Sequence, residues 1–308
     1  MTRTRPKVLV LLAAFNGSRW IREQVDSILE QRDVHADLCV GDDGSTDDTL
    51  ESLRPLLETG RIRLDRPAMG SGSAAQNFLR LIRANPAAEY DFVAFADQDD
   101  IWKPRKLARA CGALQGRDQA GYSCAVTAFW PDGREVLLAQ TKRQTPSDFL
   151  FEGAGQGCSF VLRSDFYGRI RQFFIDHAAQ TSGLHYHDWA TYAVSRAWGL
   201  SWVFDDWSGV LYRQHAGNDT GARAGSAGIG RRLALIRGGW YARQVAVIAG
   251  LCLAAAPGEP AVAAWNELLG SKRGLRRKAR MLRFCVHGGR RRPADNLVLL
   301  AAVAFGWI

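Results

Sequence analysis

Residues 92–102 read FVAFADQDDIW, and this stretch is the strongest single indication of the fold. Phe92–Ala96 is an uninterrupted apolar run of strand length, and three carboxylates follow it within four residues. A continuous apolar run, unlike an alternating one, is typical of a strand that is covered on both faces. KVLVLLA at 7–13 has the same character, and DLCVG at 37–41 is a shorter run of the same kind.

Strand and helix patterns alternate over the first 115 residues. The predicted strands are Lys7–Ala13, Asp37–Gly41, Arg61–Leu64 and Asp91–Ala96, and the predicted helices are Thr46–Leu57, Ser73–Arg83 and Pro104–Gln115. This alternation predicts an α/β fold with a mainly parallel sheet between helices. Residues 120–215 show a mixed pattern that is richer in aromatic side chains.

The charge of the chain is unevenly distributed. The net charge is +9, but residues 221–308 hold 15 basic and three acidic residues, a local charge of +12, which leaves −3 for the remainder. Residues 217–230 are rich in Gly, Ala and Ser and are expected to form a loop, and Arg231–Ala256 and Ala261–Ser271 are predicted helices. We therefore expect a catalytic domain at 1–220 and a basic, mainly helical C-terminal extension at 221–308.

The cysteines and the apolar runs bear on the expected location. Six cysteines occur without a CxxC pair, which is typical of reduced, mostly buried thiols in the cytosol. No apolar run reaches the roughly 18 residues that a membrane-spanning helix needs. The basic extension predicts an anionic partner, either a membrane surface or a nucleic acid, although a solvated basic face has the same composition.

Three predicted strands end in polar residues, and ligands of open α/β sheets bind outside the carboxyl ends of parallel strands. These ends are Ala14-Phe15-Asn16-Gly17, Asp42-Asp43-Gly44-Ser45 and Asp97-Gln98-Asp99-Asp100. Asn16-Gly17 at the first end is also typical of a simple turn, and the second end is also typical of a turn followed by a helix N-cap. The third is different, because like charges crowded at a buried strand end repel one another.

The acidic segment predicts a divalent cation. Asp97 and Asp99 are two residues apart on an extended segment and so point to the same side, where both can reach one ion. Neither GxGxxG at the early strand ends nor a Walker A motif is present, so a phosphate group would be held by the metal. This combination suggests a nucleotide-diphosphate compound bound through its pyrophosphate.

Several motifs, in their order and spacing, resemble glycosyltransferase family 2 enzymes of the GT-A (Rossmann-like) fold. The resemblance covers about residues 6–222 and is carried by Val8–Gln31, VGDDGSTDDT (40–49), FADQDDIWKPRKL (95–107), GQGCSFVLR (155–163), HDW (187–189) and YRQH (212–215) followed by Gly217-Asn218. The last three motifs resemble the rhamnosyltransferase-like branch, which acts in surface polysaccharide assembly.

The resemblance implies a role for each strand end. Ala14 and Phe15 would contact the base of the nucleotide sugar, with Asn16 in the same segment. Asp43 would hydrogen-bond the base or ribose, with Asp42 as its neighbour and substitute.

The acidic segment and the YRQH motif would hold the metal and the diphosphate. Asp99 would be a direct ligand of Mg²⁺ or Mn²⁺, with Asp97 near the ribose or the metal. Asp100 would cap the following helix or contact the acceptor. Arg213 would meet the pyrophosphate, and His215 would complete the metal shell.

Asp188 is the candidate general base. An inverting transfer requires one carboxylate to take the proton of the attacking acceptor hydroxyl. Trp189 would line the sugar pocket. Asp188 is also typical of a helix start, where it would be an N-cap. The adjacent residues Asp205 and Asp206 are rival candidates for the base, although their position after the aromatic strand SWVF favours a structural role.

The expected reaction is sugar transfer from a dTDP- or UDP-linked donor to a glycan or lipid-linked glycan. Rhamnose is suggested by the branch alone. The extension would bind an anionic membrane surface or a second copy of the chain in a homodimer. Arg231–Ala249 is predicted to be a basic amphipathic helix at that membrane surface. The tail Leu297–Ile308 would insert shallowly into the membrane, or pack on the catalytic domain or on a second subunit. We expect a cytoplasmic enzyme, peripheral at the inner face of the membrane, and no nucleic acid partner.

Two other classes share part of this pattern. A metal-dependent phosphohydrolase also uses an acidic strand end, but it would place a nucleophilic Asp at the first strand, where this chain has Ala14-Phe15-Asn16. A non-catalytic module with an acidic pocket and a basic tail would not need the HDW and YRQH segments.

Overall fold

A computed structural model describes residues 5–114, 116, 118–139, 143–215, 230 and 234–308. By its contacts the chain divides into two units. Unit 1 comprises Met1–Gln140, Gly155–Asp176 and Leu200–Asn218, and unit 2 comprises Thr141–Ala154, His177–Gly199 and Asp219–Ile308. The last segment of unit 1 ends at Asn218, near the predicted boundary at 220, but unit 2 also includes the earlier segments Thr141–Ala154 and His177–Gly199. The division at residue 220 stays a prediction.

Unit 1 is a mixed α/β unit. Its nine described strands are β1 (Lys7–Ala14), β2 (His35–Asp42), β3 (Arg63–Asp65), β4 (Phe92–Asp97), β5 (Ile101–Trp102), β6 (Gln119–Phe129), β7 (Glu135–Leu138), β8 (Val161–Arg163) and β9 (Ser201–Arg213). Its helices are α1 (Ile21–Leu29), α2 (Thr49–Glu58), α3 (Ala74–Ala84), α4 (Lys106–Ala113) and α5 (Ser164–Asp176).

The strands form one sheet in the order β3-β2-β1-β4-β8-β6-β9-β5, with β7 paired to β6. The β3-β2-β1-β4 half is parallel, as predicted, and β6 also pairs in parallel with β9. The pairs β4–β8, β6–β8, β6–β7 and β5–β9 are antiparallel. Seven of the eight residues of β1 are buried, as its continuous apolar run predicts.

Helices cover the sheet through apolar stripes at helical spacing. Ile21, Val25 and Ile28 of α1 are fully buried. α3 begins after Ser73, whose hydroxyl accepts a hydrogen bond from the Gln76 N–H at 3.2 Å. It packs so closely on β2 that a Cβ at Gly41 would lie 2.6 Å from the Leu81 side chain.

Several predicted bounds differ from the observed ones. The second helix begins at Thr49 rather than Thr46, because the preceding residues form the loop that holds the Asp42 carboxylate. The third strand is Arg63–Asp65, and α4 begins at Lys106. Gln115, most of the predicted loop at 217–230 and residues 231–233 of the predicted helix lie outside the described residues.

Unit 2 is helical in its described part. It contains a 3-10 turn at Asp148–Leu150 and the helices α6 (Ala178–Thr181), α7 (His187–Ala197), α8 (Trp240–Ala255), α9 (Pro260–Gly270), α10 (Leu275–Gly288) and α11 (Pro293–Ala304). Its core includes Trp265, whose ring meets Phe151 edge-on with centroids 4.8 Å apart. Val245, Ile248 and Cys252 of α8 are buried. Of the apolar residues on the predicted amphipathic helix, Ile248 is buried, whereas Ile236, Trp240 and Val247 are half-buried. The expected contact of this helix with a membrane stays a prediction.

A charged cluster lies in the interior of unit 2. Asp148 is fully buried and accepts hydrogen bonds from the Tyr192 hydroxyl at 2.7 Å and from Arg196 and Arg291 at 2.9 Å each. Arg291 also donates to the Gly153 carbonyl at 2.7 Å. These bonds attach the turn between α10 and α11 to the 148–153 segment, which lies far away in the sequence.

All six cysteines are buried and free, as the absence of a CxxC pair predicts. Burial raises the pKa of the thiols, to about 11 in Cys39 and about 12 in Cys111 and Cys285. Within the described ranges, none of the helices has both the length and the apolar character to cross a bilayer.

Candidate active site

The pairing register brings the three predicted strand ends together. Ala14 of β1 pairs with Asp42 of β2, and Ala13 pairs with Asp97 of β4. The Asp43 N–H also donates to the Ala14 carbonyl at 2.8 Å. The site predicted from the carboxyl ends of parallel strands is therefore a single region of unit 1.

The loop after β1 is held from both sides. The Gln98 side-chain amide donates to the Phe15 carbonyl and accepts from the Phe15 N–H, both at 2.9 Å. Asn16 has a positive φ of 48° and accepts from the Thr46 N–H at 2.8 Å. The Phe15 ring is left 53% exposed at the site, an unusual position for a large apolar side chain. A Cβ at Gly17 would lie 2.1 Å from Gln98 Oε1, so a larger residue there would displace the Gln98 amide.

Both carboxylates after β2 bind the backbone of nearby loops. Asp42 is fully buried, accepts from the Ser45 N–H at 3.2 Å and pairs with Arg66 at 3.1 Å. Asp43 accepts from the Ser71 N–H at 2.6 Å and the Gly72 N–H at 3.2 Å. Asp43 thereby links the end of β2 to the segment before α3. Asp42 is part of the turn itself, and its predicted role as a substitute for Asp43 stays a prediction.

The acidic segment contacts the end of β9. Asp99 Oδ2 lies 2.7 Å from His215 Nε2, so the two residues predicted as metal ligands are in contact. The His215 ring stacks on Trp20 with centroids 4.1 Å apart. The Asp97 carbonyl accepts from Gln24 Nε2 at 2.9 Å, which holds the strand end against α1.

Asp100 lies beneath this surface and does not cap α4, which begins after Arg105 without a side-chain cap. Its fully buried carboxylate accepts from the Arg213 N–H at 3.2 Å through Oδ1, whereas Oδ2 has no hydrogen-bond partner among the described residues. Burial, and then the charges of Asp99 and Asp97, raise the pKa of Asp100 well above its usual value. One potential ligand atom from each of Asp97, Asp100 and Cys158 lies within 4.8 Å of the others.

Buried Lys106 lies close to this group. Its ammonium is 3.4 Å from the centroid of the Trp102 ring, and burial lowers its pKa to about 8. Arg213 has its guanidinium bonded to the Asp99 carbonyl at 2.9 Å and paired with Glu23. Its predicted contact with a pyrophosphate stays a prediction.

Asp188 lies in unit 2, at the second residue of α7, where its Oδ1 accepts from the Trp189 N–H at 2.7 Å. Trp189 is buried, and its indole N–H donates to the Phe149 carbonyl at 2.8 Å, so its described contacts are internal to unit 2. Burial lowers the pKa of the preceding His187 to about 3. The rival Asp205 pairs with Arg109 and accepts from the Tyr122 hydroxyl at 2.8 Å, a structural arrangement.

Sequence reasoning missed the residues that hold the site together. Gln98 and Lys106 lie within FADQDDIWKPRKL and Glu23 lies within Val8–Gln31, but no role was assigned to any of the three. Cys158 was part of the quoted GQGCSFVLR segment but had no assigned role. Gln98, Glu23 and Cys158 act through partners distant in sequence, which a local pattern does not identify, whereas Lys106 lies over Trp102, four residues earlier.

The amino-acid sequence also matches known proteins. The profile of glycosyl transferase family 2 matches residues 9–176. The dTDP-rhamnosyl transferase RfbG of Shigella flexneri is 36% identical over 240 residues, which are 77% of this chain and 83% of RfbG.

Solved structures share the fold at low sequence identity. S. aureus TarS 1–349 in complex with UDP superposes with a TM-score of 0.55 at 15% identity, over 91% of this chain and 79% of that one. The mannosyltransferase PcManGT from Pyrobaculum calidifontis, in complex with GDP-Man and Mn²⁺, gives a TM-score of 0.50 at 18% identity over 98% and 85% of the chains. The sheet, its polar strand ends and these similarities lead to one conclusion: the chain is a glycosyltransferase with the GT-A fold and belongs to glycosyltransferase family 2.

Proposed function

We propose that this glycosyltransferase moves a sugar, with inversion at its anomeric carbon, from a nucleotide-diphosphate donor to a hydroxyl of a glycan or lipid-linked glycan. The observation that carries the proposal is the acidic end of β4, where Asp97, Asp99 and Asp100 lie within four residues beside the end of β1, and where Asp99 contacts His215. A divalent cation would offset the negative charge of this segment and that of a bound diphosphate.

The similarity to RfbG supports a dTDP-linked donor and rhamnose as the transferred sugar. UDP-linked hexoses are the next candidates. Surface polysaccharide synthesis is the process in which such a transfer would take place.

The residues present fit a divalent metal ion. Asp97 and Asp99 supply hard carboxylate oxygens, which Mg²⁺ and Mn²⁺ prefer, and the imidazole of His215 would be an additional nitrogen ligand. The buried Oδ2 of Asp100, without a partner among the described residues, is a further acceptor behind them. When bound, the ion would stabilise the negative charge of the departing diphosphate.

The remaining residues of this region would bind the nucleotide. The exposed Phe15 ring offers an apolar face on which a base can stack, and Ala14 and Asn16 are its neighbours in the chain. Asp43, with Asp42 as the anchor of its loop, would meet the base or ribose. Arg213 would balance diphosphate charge, because its guanidinium lies directly against the acidic segment.

Asp188 would act as general base. It takes the proton from the acceptor hydroxyl as that oxygen attacks the anomeric carbon, and the bond between this carbon and the diphosphate oxygen breaks. One base suffices for inversion, and no covalent intermediate forms.

The test measures donor binding and transfer separately. Calorimetry with dTDP-rhamnose, UDP-glucose and GDP-mannose, with Mn²⁺ or with EDTA, identifies the donor, and product analysis separates a released nucleotide diphosphate from a sugar phosphate. Asp99→Ala is expected to lose metal-dependent donor binding. Asp188→Asn is expected to keep donor binding and lose transfer.

Asp206→Asn is the matched control for the base, because this exposed aspartate belongs to the rival pair. Loss of transfer in Asp206→Asn with full activity in Asp188→Asn would reject the assigned base. Donor binding that EDTA does not weaken would reject the metal. Sugar phosphate as the main product would instead identify a phosphohydrolase.

A further inference from the structure

The solvent-facing side of α11 is apolar throughout. In Pro293–Ala304 every residue with an exposed side chain is apolar: Pro293, Ala294, Leu297, Val298 and Ala304. Phe305 follows directly and is 68% exposed, while Leu297 is 66% exposed. The opposite side of the helix, with Leu299, Ala302 and Val303, is buried in unit 2. A helix that is apolar on both sides is normally covered on both sides.

α10 continues this apolar surface. Leu275, Ala279, Leu282 and Val286 are spaced i, i+4, i+7 and i+11, so they form one stripe along the helix. This stripe is at least partly exposed over its whole length, and Leu275 is 85% exposed. It is distinct from the buried face of α10, which contains Met281 and Cys285.

The two stripes meet at one end of unit 2. Lys278, one turn beyond Leu275, donates from Nζ to the Ala304 carbonyl at 2.8 Å. This bond places the first turn of α10 beside the end of α11, where Phe305 stacks on Trp307 with centroids 5.0 Å apart. The exposed stripes of α10 and α11, with Phe305 and Trp307, are called the apolar surface below.

Basic side chains flank the apolar surface. Arg276, Arg280 and Arg283 share the neighbouring face of α10, and Lys272 and Arg273 precede the helix. All five are exposed, and among the residues that the structure describes only Arg280 pairs with an acidic side chain, Glu267 at 2.7 Å. Arg237 lies over the Trp307 ring at 5.8 Å from its centroid.

We propose that α10 and α11 form a docking surface for an anionic lipid bilayer. Apolar side chains with interfacial aromatic rings would enter the boundary between headgroups and acyl chains, and the flanking arginines would meet anionic headgroups. The surface lies on the bilayer and does not cross it, because 12 helical residues measure about 18 Å against a hydrocarbon core of about 30 Å. A second copy of this chain fits less well, since a two-fold contact would bring the basic faces together.

The experiment is co-sedimentation of the full chain with vesicles of phosphatidylcholine, alone or with one third phosphatidylglycerol. We expect binding to the anionic vesicles and release by added salt. The double variant Leu297→Glu/Phe305→Glu should reduce the partition coefficient about tenfold or more, because it places charges in the apolar surface. Arg276→Gln/Arg283→Gln should reduce binding to anionic vesicles and leave weak binding to neutral ones.

Leu137→Glu is the matched control, since Leu137 of β7 in unit 1 is 57% exposed. It should bind vesicles like the wild type. Because the replaced side chains are exposed, thermal unfolding should be unchanged in every variant, which separates a docking defect from loss of the fold. Donor binding should also be unchanged, which separates a docking defect from failure of the proposed reaction. A fluorophore on Leu297→Cys gives a second measurement, with a blue shift expected on anionic vesicles.

Three results would overturn the inference. The first is equal vesicle binding by the wild type and the glutamate double variant. The second is a wild-type dimer that the same substitutions dissociate, without any vesicle binding. The third is salt-sensitive binding to duplex DNA through the same arginines with no affinity for vesicles.

Discussion

The amide of Gln98 is the structural element that holds the exposed Phe15 in place, and its removal should weaken donor binding. Gln98→Ala deletes two neutral hydrogen bonds of 2.9 Å to the Phe15 backbone. Such a bond contributes about 0.5–1.5 kcal/mol. Because Phe15 is exposed, water can form part of the lost hydrogen bonds. We therefore expect the free energy of donor binding to weaken by about 1–2 kcal/mol. The dissociation constant of the donor should therefore rise about 5- to 30-fold.

Gly17→Ala disturbs the same contact from the other side, since its Cβ would overlap Gln98 Oε1. In Gln98→Ala that overlap is gone, so the two substitutions should be non-additive, with the second costing much less than it does alone. Isothermal titration of the donor in the presence of Mn²⁺ measures all four proteins of this cycle.

Gln172→Ala is the control, because its side-chain amide donates to Asp176, another exposed side chain of α5. It should bind the donor like the wild type, and the thermal unfolding of Gln98→Ala should change little. An unchanged dissociation constant in Gln98→Ala, or strictly additive effects in the cycle, would refute the assignment of Gln98 as the residue that positions Phe15.

Three further predictions concern stability. Asp148→Asn removes the buried charge that two arginines share and should cost about 3–5 kcal/mol, lowering Tm by about 6–20 °C, whereas Asp165→Asn at an exposed ion pair should change Tm little. Gly41→Ala forces a Cβ against Leu81 and should cost about 1–3 kcal/mol by chemical denaturation; a neutral result would show that α3 can shift. His187 has a folded-state pKa of about 3 against about 6.5 unfolded, so the free energy of unfolding should fall by about 1.4 kcal/mol per unit as pH drops from 6.5 towards 3, and the fall should be smaller in His187→Gln.

The parallel half of the sheet was predictable because its strands are continuous apolar runs whose ends carry polar residues. That rule depends only on local sequence, and it located Ala14, Asp42 and Asp97, which the pairing register brings together. The two-residue strand β5 and the bulged pairing of β6 with β9 were not predicted. Both depend on pairing across about 80–110 residues, for which a short stretch of sequence carries no signal.

The acidic segment shows the same limit at the level of single residues. Asp97, Asp99 and Asp100 look equivalent in sequence, and the predicted cap at Asp100 was wrong because its carboxylate is fully buried against the Arg213 backbone. The contact between Asp99 and His215 was anticipated from the family resemblance and not from the residues. The membrane contact expected of 231–249 and of the tail Leu297–Ile308 stays a prediction, since amphipathicity in sequence does not reveal which apolar face the fold buries.

The six buried thiols make the chain convenient for site-specific labelling. Maleimide reagents attack the thiolate, and in every one of these cysteines burial shifts the equilibrium towards the protonated form. A cysteine introduced on an exposed helix should thus react while the native six stay unmodified. Probes can be attached one at a time to this chain without first preparing a cysteine-free variant, whose six replacements would each alter the packed core.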